Sequence, residues 1–346
     1  MGTDAGSGVR EEEPLHEPIF WADTSVTAVV APAPEGPQNQ PVRVHSLTEL
    51  VAAFGDIGGS PLATAVTDFL VNGGQVALAV RSDDGAAALA ALDEGPSFQL
   101  LVIDHQLLDG RYAEAHALCE RRHAFLVTDA LPDGTVPPGL GANAAVYHPT
   151  LLGTDGATHP AGPAVAGVYA RTDAARGVWR APAGMTAQVV GAADVSRALT
   201  TRELSILNTR RVNGLRLMPD GSVVVWGART TSSDPDQHYV AVRRLILFLE
   251  ESLEQGLAWA ASEPSTEELW AKVCSEVKQF LTRLWREGAL PGERPAEAFF
   301  VTCDETTTTP EQLGRGELVC LVGIAPISPG EFVTVPITFA TAGRPQ

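Results

Sequence analysis

The apolar positions of this chain follow one rhythm up to about residue 200 and another beyond it. From Thr24 onward, short unbroken apolar runs alternate with amphipathic stretches. "SVTAVVAP" reads as a strand, and "LTELVAAFG" as a short helix closed by Gly55. Ser60 and Pro61 open the next helix, an N-cap followed by proline at the first helical position, and Asn72-Gly73-Gly74 ends it. "QVALAV", "FQLLVID", "AFLVTD" and "AAVYHP" read as strands, with "GAAALAALDEG" and "YAEAHALCERR" as helices among them. Strands without a polar face are buried on both sides, and their alternation with helices predicts βα units on a largely parallel sheet.

Past residue 200, "TTRELSILNTRRVNGLRL" reads as a helix running into a strand, and "MPDGSVVVWGAR" as a turn before a Val-rich strand. That strand's end is expected to bury Trp226 while Arg229 reaches outwards. Two long helices follow, roughly Tyr239 to Trp259 and Thr266 to Arg286. The second carries Leu269, Val273, Val277, Phe280 and Leu284 on one stripe, with Trp270, Cys274, Leu281 and Trp285 beside it. So wide an apolar face predicts contact on two sides or deep burial. The chain ends in strands, the last from Phe332 to Phe339. Pro336 cannot donate to a ladder, so this strand is expected at a sheet edge, where another subunit can pair with it. The predicted fold class is α/β and α+β. An arm over 1–20 precedes an α/β domain over 21–203, and an α+β domain over 204–346 ends in a strand arm from about 331.

Composition narrows the function. A formal charge of −18 and only two lysines, Lys272 and Lys278, argue against nucleic acid as a partner. The charge is uneven. Arg171 to Arg244 holds eleven arginines against six acidic residues, and the part after residue 244 holds seven basic against fifteen acidic. Opposite-sign zones suit head-to-tail self-assembly, and internal ion pairing is the competing explanation. No apolar run reaches the roughly 18 residues of a membrane span, and the acidic start does not read as a secretory signal. The expectation is a soluble, cytoplasmic protein. Cys119, Cys274, Cys303 and Cys320 lack metal-site spacing and read as small buried hydrophobes. No phosphate-binding loop or G-x-S-x-G elbow occurs, and no cofactor, metal or catalytic residue is expected. The best case for an enzyme is Asp104, His105 and Asp129 at strand ends, where a metal-assisted hydrolase would place its ligands or acid/base groups. Turn-capping explains the same residues more simply.

Several ordered blocks resemble the contractile tail sheath family of phages and related injection systems. They begin with "TAVVAPAPEGPQNQPVRVHSLTELVAAFG" and "FLVNGGQVALAVR", and continue with "VAGVYARTDAARGVWRAPAG" as the most specific piece. "LNTRRVNGLRL", "VWGARTTSSDPDQHYVAVRRL", "LWREGALPGERPAEAFFVTCDETTTT" and "GIAPISPGEFVTVPI" follow in the family's order. The resemblance implies an outer α/β domain, a tube-proximal C-terminal domain and terminal arms that lend strands to neighbours. Phe332, Val333, Thr334, Val335, Ile337 and Phe339 would form the exchanged strand. Arg243 and Arg244 are candidates for contact with the tube or a neighbour, with intrachain pairing to Glu250, Glu251 or Asp236 as the competing reading. The implied partners are copies of the chain itself in stacked rings, an inner tube protein, and baseplate and cap proteins. The implied setting is assembly in the cytoplasm as a component of a phage tail or phage-tail-like particle that can be released. A non-contractile cap or baseplate protein derived from a sheath is the alternative. Residues 1–20 depart from the family, lacking the Pro-Gly-Val-Tyr arm with which many sheaths begin.

Overall fold

The computed structural model describes residues 18–56, 58–325 and 333–342. The first part of the chain lays down β1 (Thr27–Ala31), β2 (Val42–Val44), α1 (Leu47–Phe54), α2 (Pro61–Val71), β3 (Ala77–Arg81), α3 (Gly85–Asp93) and β4 (Leu100–Ile103). It continues through α4 (His105–Leu108), α5 (Tyr112–Arg121), β5 (Phe125–Asp129) and β6 (Ala144–His148). The middle holds β7 (Leu151–Gly153), β8 (Thr158–His159), α6 (Ala161–Arg176), β9 (Gln188–Val189), β10 (Ala192–Val195), α7 (Thr201–Thr209), β11 (Val212–Leu217) and β12 (Val223–Val225). Last come α8 (Val240–Gly256), α9 (Glu267–Arg286), α10 (Pro295–Ala298), β13 (Phe299–Thr302), α11 (Pro310–Gly314), β14 (Glu317–Ile324) and β15 (Val333–Ala340).

Nine strands form one sheet in the order β2-β3-β1-β4-β5-β6-β11-β12-β9. The run from β3 to β11 is parallel, and antiparallel β2, β12 and β9 complete the margins. Because side chains alternate along a strand, each apolar run feeds two cores. Val29, Ala79, Val102, Val127 and Tyr147 face the core under α1, α2 and α6, while Val30, Leu78, Leu101 and Leu126 face the one under α3 and α5. The mostly parallel sheet expected from the apolar rhythm is thus present. β11 and β12 belong to this sheet although they lie beyond residue 203.

Local chemistry explains where the elements begin. Ser60 Oγ accepts the Ala63 N–H at 3.2 Å and caps α2, with Pro61 following it. Asn72, fully buried, ends that helix: its amide donates to the Asp68 and Val190 carbonyls, and its side-chain oxygen accepts the Val190 N–H at 2.8 Å. Gly73 sits at φ +111°, and a Cβ there would stand 2.6 Å from the Cβ of Arg171. The Asn-Gly-Gly step therefore lets α2 and α6 approach closely.

A second module packs α8 and α9 against the antiparallel sheet β13-β14-β15. The wide face of α9 is explained by this packing: Leu269, Val273, Val277, Phe280 and Leu284 are buried, and so are Trp270 and Leu281 on the adjoining stripe. One expectation is corrected. Trp226 lies 41% exposed on the sheet surface with the Arg216 guanidinium over its ring. The sheet turns that position outwards, and α7 already covers the neighbouring stretch through Leu204. Arg229 turns back instead, meeting His238 Nε2 at 3.1 Å.

Candidate functional site: the joint at the amino edge of the sheet and the terminal strand

The second module meets the large sheet through α8, which crosses the amino ends of the parallel strands. Val240 and Leu247 belong to the core of the sheet, whereas Val242, Leu245, Phe248, Leu249 and Leu253 belong to the core of the C-terminal module. A helix apolar on two sides suits this shared position. Polar groups of α8 meet the segment leading into one strand after another. Arg243 Nε donates to Asn143 Oδ1 at 2.6 Å just before β6, and the Arg244 guanidinium donates to the Thr24 carbonyl at 2.8 Å just before β1.

Arg243 and Arg244, expected at a partner's surface, both turn inwards. Neighbouring positions on a helix point about 100° apart. Arg243 lies between Asn143 and Glu250, 3.7 Å away, and burial lowers its pKa. Arg244 has only 3% of its side chain exposed. It pairs with Asp173 of α6 at 2.6 and 2.9 Å and stacks over the Tyr169 ring at 4.8 Å. Asp173 also accepts from Thr24 Oγ1 at 2.8 Å. The expected external contact of Arg244 is therefore corrected: its fork is filled by intrachain acceptors, because an isolated buried charge would be costly.

The most specific sequence block is the other half of this joint. From it, Tyr169 bonds Tyr147, Arg171 donates to the Asn72 carbonyl at 2.7 Å, and Asp173 holds Arg244. Trp179 meets Trp21 edge to face at 5.8 Å, and Trp21 meets Phe248 at 5.9 Å. Of the expected arm over 1–20, residues 1–17 lie outside the described residues. Ile19, inside them, is buried against α8 and α9, and its carbonyl accepts from Arg283. A Cβ at Gly256 would come within 2.6 Å of Ile19, so the glycine makes room for it. Neither the aromatic seam nor the role of Asp173 was foreseen from sequence. No local signal in the sequence ties Arg244 to Asp173, which lies 71 residues away along the chain.

The joint also holds a titratable clamp. His123, just before β5, places Nδ1 3.3 Å from Glu250 and Nε2 3.6 Å from Glu254 of α8. The hydrogen bond to Glu250 raises the His123 pKa, against the opposing effect of burial. Glu254 and Glu251 add to the rise, and Arg243 shares Glu250. A raised histidine pKa contributes stability that is full below about pH 6.5 and is lost as pH rises through the folded-state value. His123→Gln is thus expected to lower Tm more at pH 6 than at pH 8.5. Equal losses at both, in thermal unfolding followed by circular dichroism, would remove the clamp.

The enzyme-like residues lie at the opposite, carboxyl edge and serve as caps. Asp104 Oδ1 accepts from the Gln106 N–H at 2.8 Å, and His105 is exposed. Asp129 caps α6, accepting from Ala161 at 2.7 Å and Gly162 at 3.3 Å; burial nevertheless pushes its carboxyl up to about 6. Among the described residues no group of three or more His, Cys, Asp or Glu could hold a metal ion.

At the terminal strand, β15 pairs antiparallel with β14 along all eight residues and forms an edge of its sheet. Val335, Ile337 and Phe339 face the core, whereas Thr334, Pro336 and Thr338 face outwards. Val333 is half-buried. Phe332, the first residue of the expected strand, lies outside the described residues. The edge position expected from Pro336 is observed, in pairing within the chain.

The arrangement resembles known proteins over nearly its whole length. It superposes on the helical sheath of the anti-feeding prophage (AFP) in its contracted state with a TM-score of 0.80 and 29% identity, covering 97% of this chain and 99% of that one. It matches the contracted sheath complex of the extracellular contractile injection system PVC at TM-score 0.80 and 25% identity, covering 97% of each chain. A putative prophage major tail sheath protein of Pseudomonas aeruginosa (strain UCBPP-PA14) is 25% identical over 178 residues, 50% of this chain and 44% of that protein's length. Among the described residues, no helix is long and apolar enough to cross a membrane. Residues 79–231 match the phage tail sheath protein central domain and residues 232–340 the phage tail sheath C-terminal domain, so the chain belongs to the phage tail sheath family.

Proposed function

We propose that this chain is the structural subunit of a contractile tail sheath. Copies polymerise as stacked rings around an inner tube, meet baseplate and cap proteins at the ends, and contract to drive the tube through a target envelope. The large sheet faces outwards and the module from α8 to β15 lies towards the tube. Assembly takes place in the cytoplasm, and the particle can then be released.

The observation that carries this reading is β15. Burying its three apolar side chains contributes on the order of 5–8 kcal/mol, so the strand needs a groove beside β14, its own or a neighbour's. The hydrogen bonds are the same in both cases, and exchange of an identical element links copies at little energetic cost. Residues 333–335, 337 and 339 are the proposed exchanged strand. The subunit performs no catalysis in this reading, which the capping roles of Asp104 and Asp129 support.

Negative-stain electron microscopy of the purified protein, alone and with its tube subunit, tests the proposal. Hollow striated cylinders are expected. Monodisperse particles under both conditions overturn it, and isolated rings would point to the cap or baseplate role.

A further inference from the structure

Three of the four cysteines, distant in sequence, converge in the core of the C-terminal module. Phe299 pairs with Ile324, Val301 with Val322 and Thr302 with Leu321; one further step in the same register would set Cys303 opposite Cys320, and the two thiols are in hydrogen-bond contact. Phe299, Val301 and Cys303 alternate onto the core face together with Ile324, Val322 and Cys320. The loop after Cys303 stays alongside β14, where Thr307 Oγ1 donates to the Val319 carbonyl at 2.8 Å. Cys274 of α9 lies just above, its thiol donating to the Val301 carbonyl at 3.7 Å. Directly opposed residues in antiparallel strands have Cα atoms about 4.5–5.5 Å apart, inside the roughly 4.4–6.8 Å that disulfides span.

We propose that Cys303 and Cys320 are an oxidation site, at which a peroxide joins β13 to β14 through a cross-strand disulfide. The two thiols differ in position. Cys303 is 9% exposed at the strand end, and Cys320 is 0% exposed in the middle of β14. Cys303 therefore meets the oxidant. Its thiolate attacks one oxygen of hydrogen peroxide and breaks the O–O bond, giving a sulfenic acid and hydroxide, which takes up the proton lost from the thiol to form water. The Cys320 thiol then attacks the Cys303 sulfur and displaces the hydroxyl group as a second water. Two thiols and one peroxide give one disulfide and two waters. The hydrogen bond to Cys303, together with burial, holds the Cys320 thiol well above its ordinary pKa, so Cys320 is not the thiol that attacks peroxide and enters only in the second step, giving up its proton to the departing hydroxyl.

A reducing cytosol would keep the pair open, and an oxidising exterior would close it. The bond would fix β14, the strand with which β15 pairs, to β13 on its other side. This inference rests on the register of β13 and β14 and stands apart from the sheath reading.

The test is peroxide treatment of the full chain, alkylation of the remaining thiols, and peptide mapping without reduction. Loss of two of the four thiols is expected, with a Cys303–Cys320 linked peptide that dithiothreitol reverses and a Tm higher by several degrees. Cys274→Ser should keep the link, and Cys303→Ser or Cys320→Ser should abolish it. Four alkylated thiols after peroxide, or a link through Cys274, would overturn the proposal. Mapping the unsubstituted chain decides the matter even if a variant fails to fold.

Discussion

Replacing Arg244 with methionine is expected to lower the stability of the folded chain by about 3–5 kcal/mol. The substitution leaves Asp173, with 4% of its side chain exposed, as an unpaired carboxylate between α6 and α8. It also leaves the Thr24 carbonyl without its donor and the Tyr169 ring without its stacked cation. Asp173→Asn should be milder, because an amide can still accept from the guanidinium. The double variant Arg244→Met/Asp173→Leu should recover most of the loss, since removing both charges avoids their burial altogether. Urea unfolding followed by tryptophan fluorescence would measure all three. A double variant no more stable than Arg244→Met would show that the pair is not the reason for the loss.

Deleting residues 331–346 is expected to abolish polymers while leaving the nine-stranded sheet folded. The deletion removes β15 and three apolar side chains from the core of the C-terminal module. That module should lose several kcal/mol, but none of the strands of the large sheet lies in the deleted part. A narrower variant, Ile337→Asp, places a charge opposite Cys320 and should weaken the strand in either pairing. Sedimentation reads the polymer and circular dichroism the fold. Polymers that persist after the deletion would refute strand exchange, and loss of all secondary structure would show that β15 is needed for folding first.

Much of the fold could be read from the chain because its signals are local. The unbroken apolar strands and the Ser60-Pro61 start depend on residues within one turn or one pleat, and the Asn72-Gly73-Gly74 stop is legible as a local step although Val190 and Arg171 complete its geometry. The two long helices were legible for the same reason, although α8 stops at Gly256, where Ile19 packs against it, and Ala258–Ser262 continues as a tight 3-10 turn. What could not be read depends on distant partners. Arg244 and Asp173 are 71 residues apart, and Thr24 is 220 from Arg244. An arginine in sequence looks the same whether its acceptor is a neighbour or its own helix. Trp226 misled because apolar character predicts burial only when some element covers the position, and here α7 covers the adjacent stretch instead. Cys119, Cys303 and Cys320 are buried as expected and Cys274 is half-buried, but only the ladder register points to two of them as face to face.

The shared helix α8 has a mechanical consequence. At about 1.5 Å per residue its seventeen residues form a beam some 25 Å long, with its flanks glued into two different cores. Bending between the modules would have to pull apolar side chains out of one of them, so each subunit should respond to load as a single stiff body. An array of such bodies would therefore change shape at the contacts between them rather than within each one.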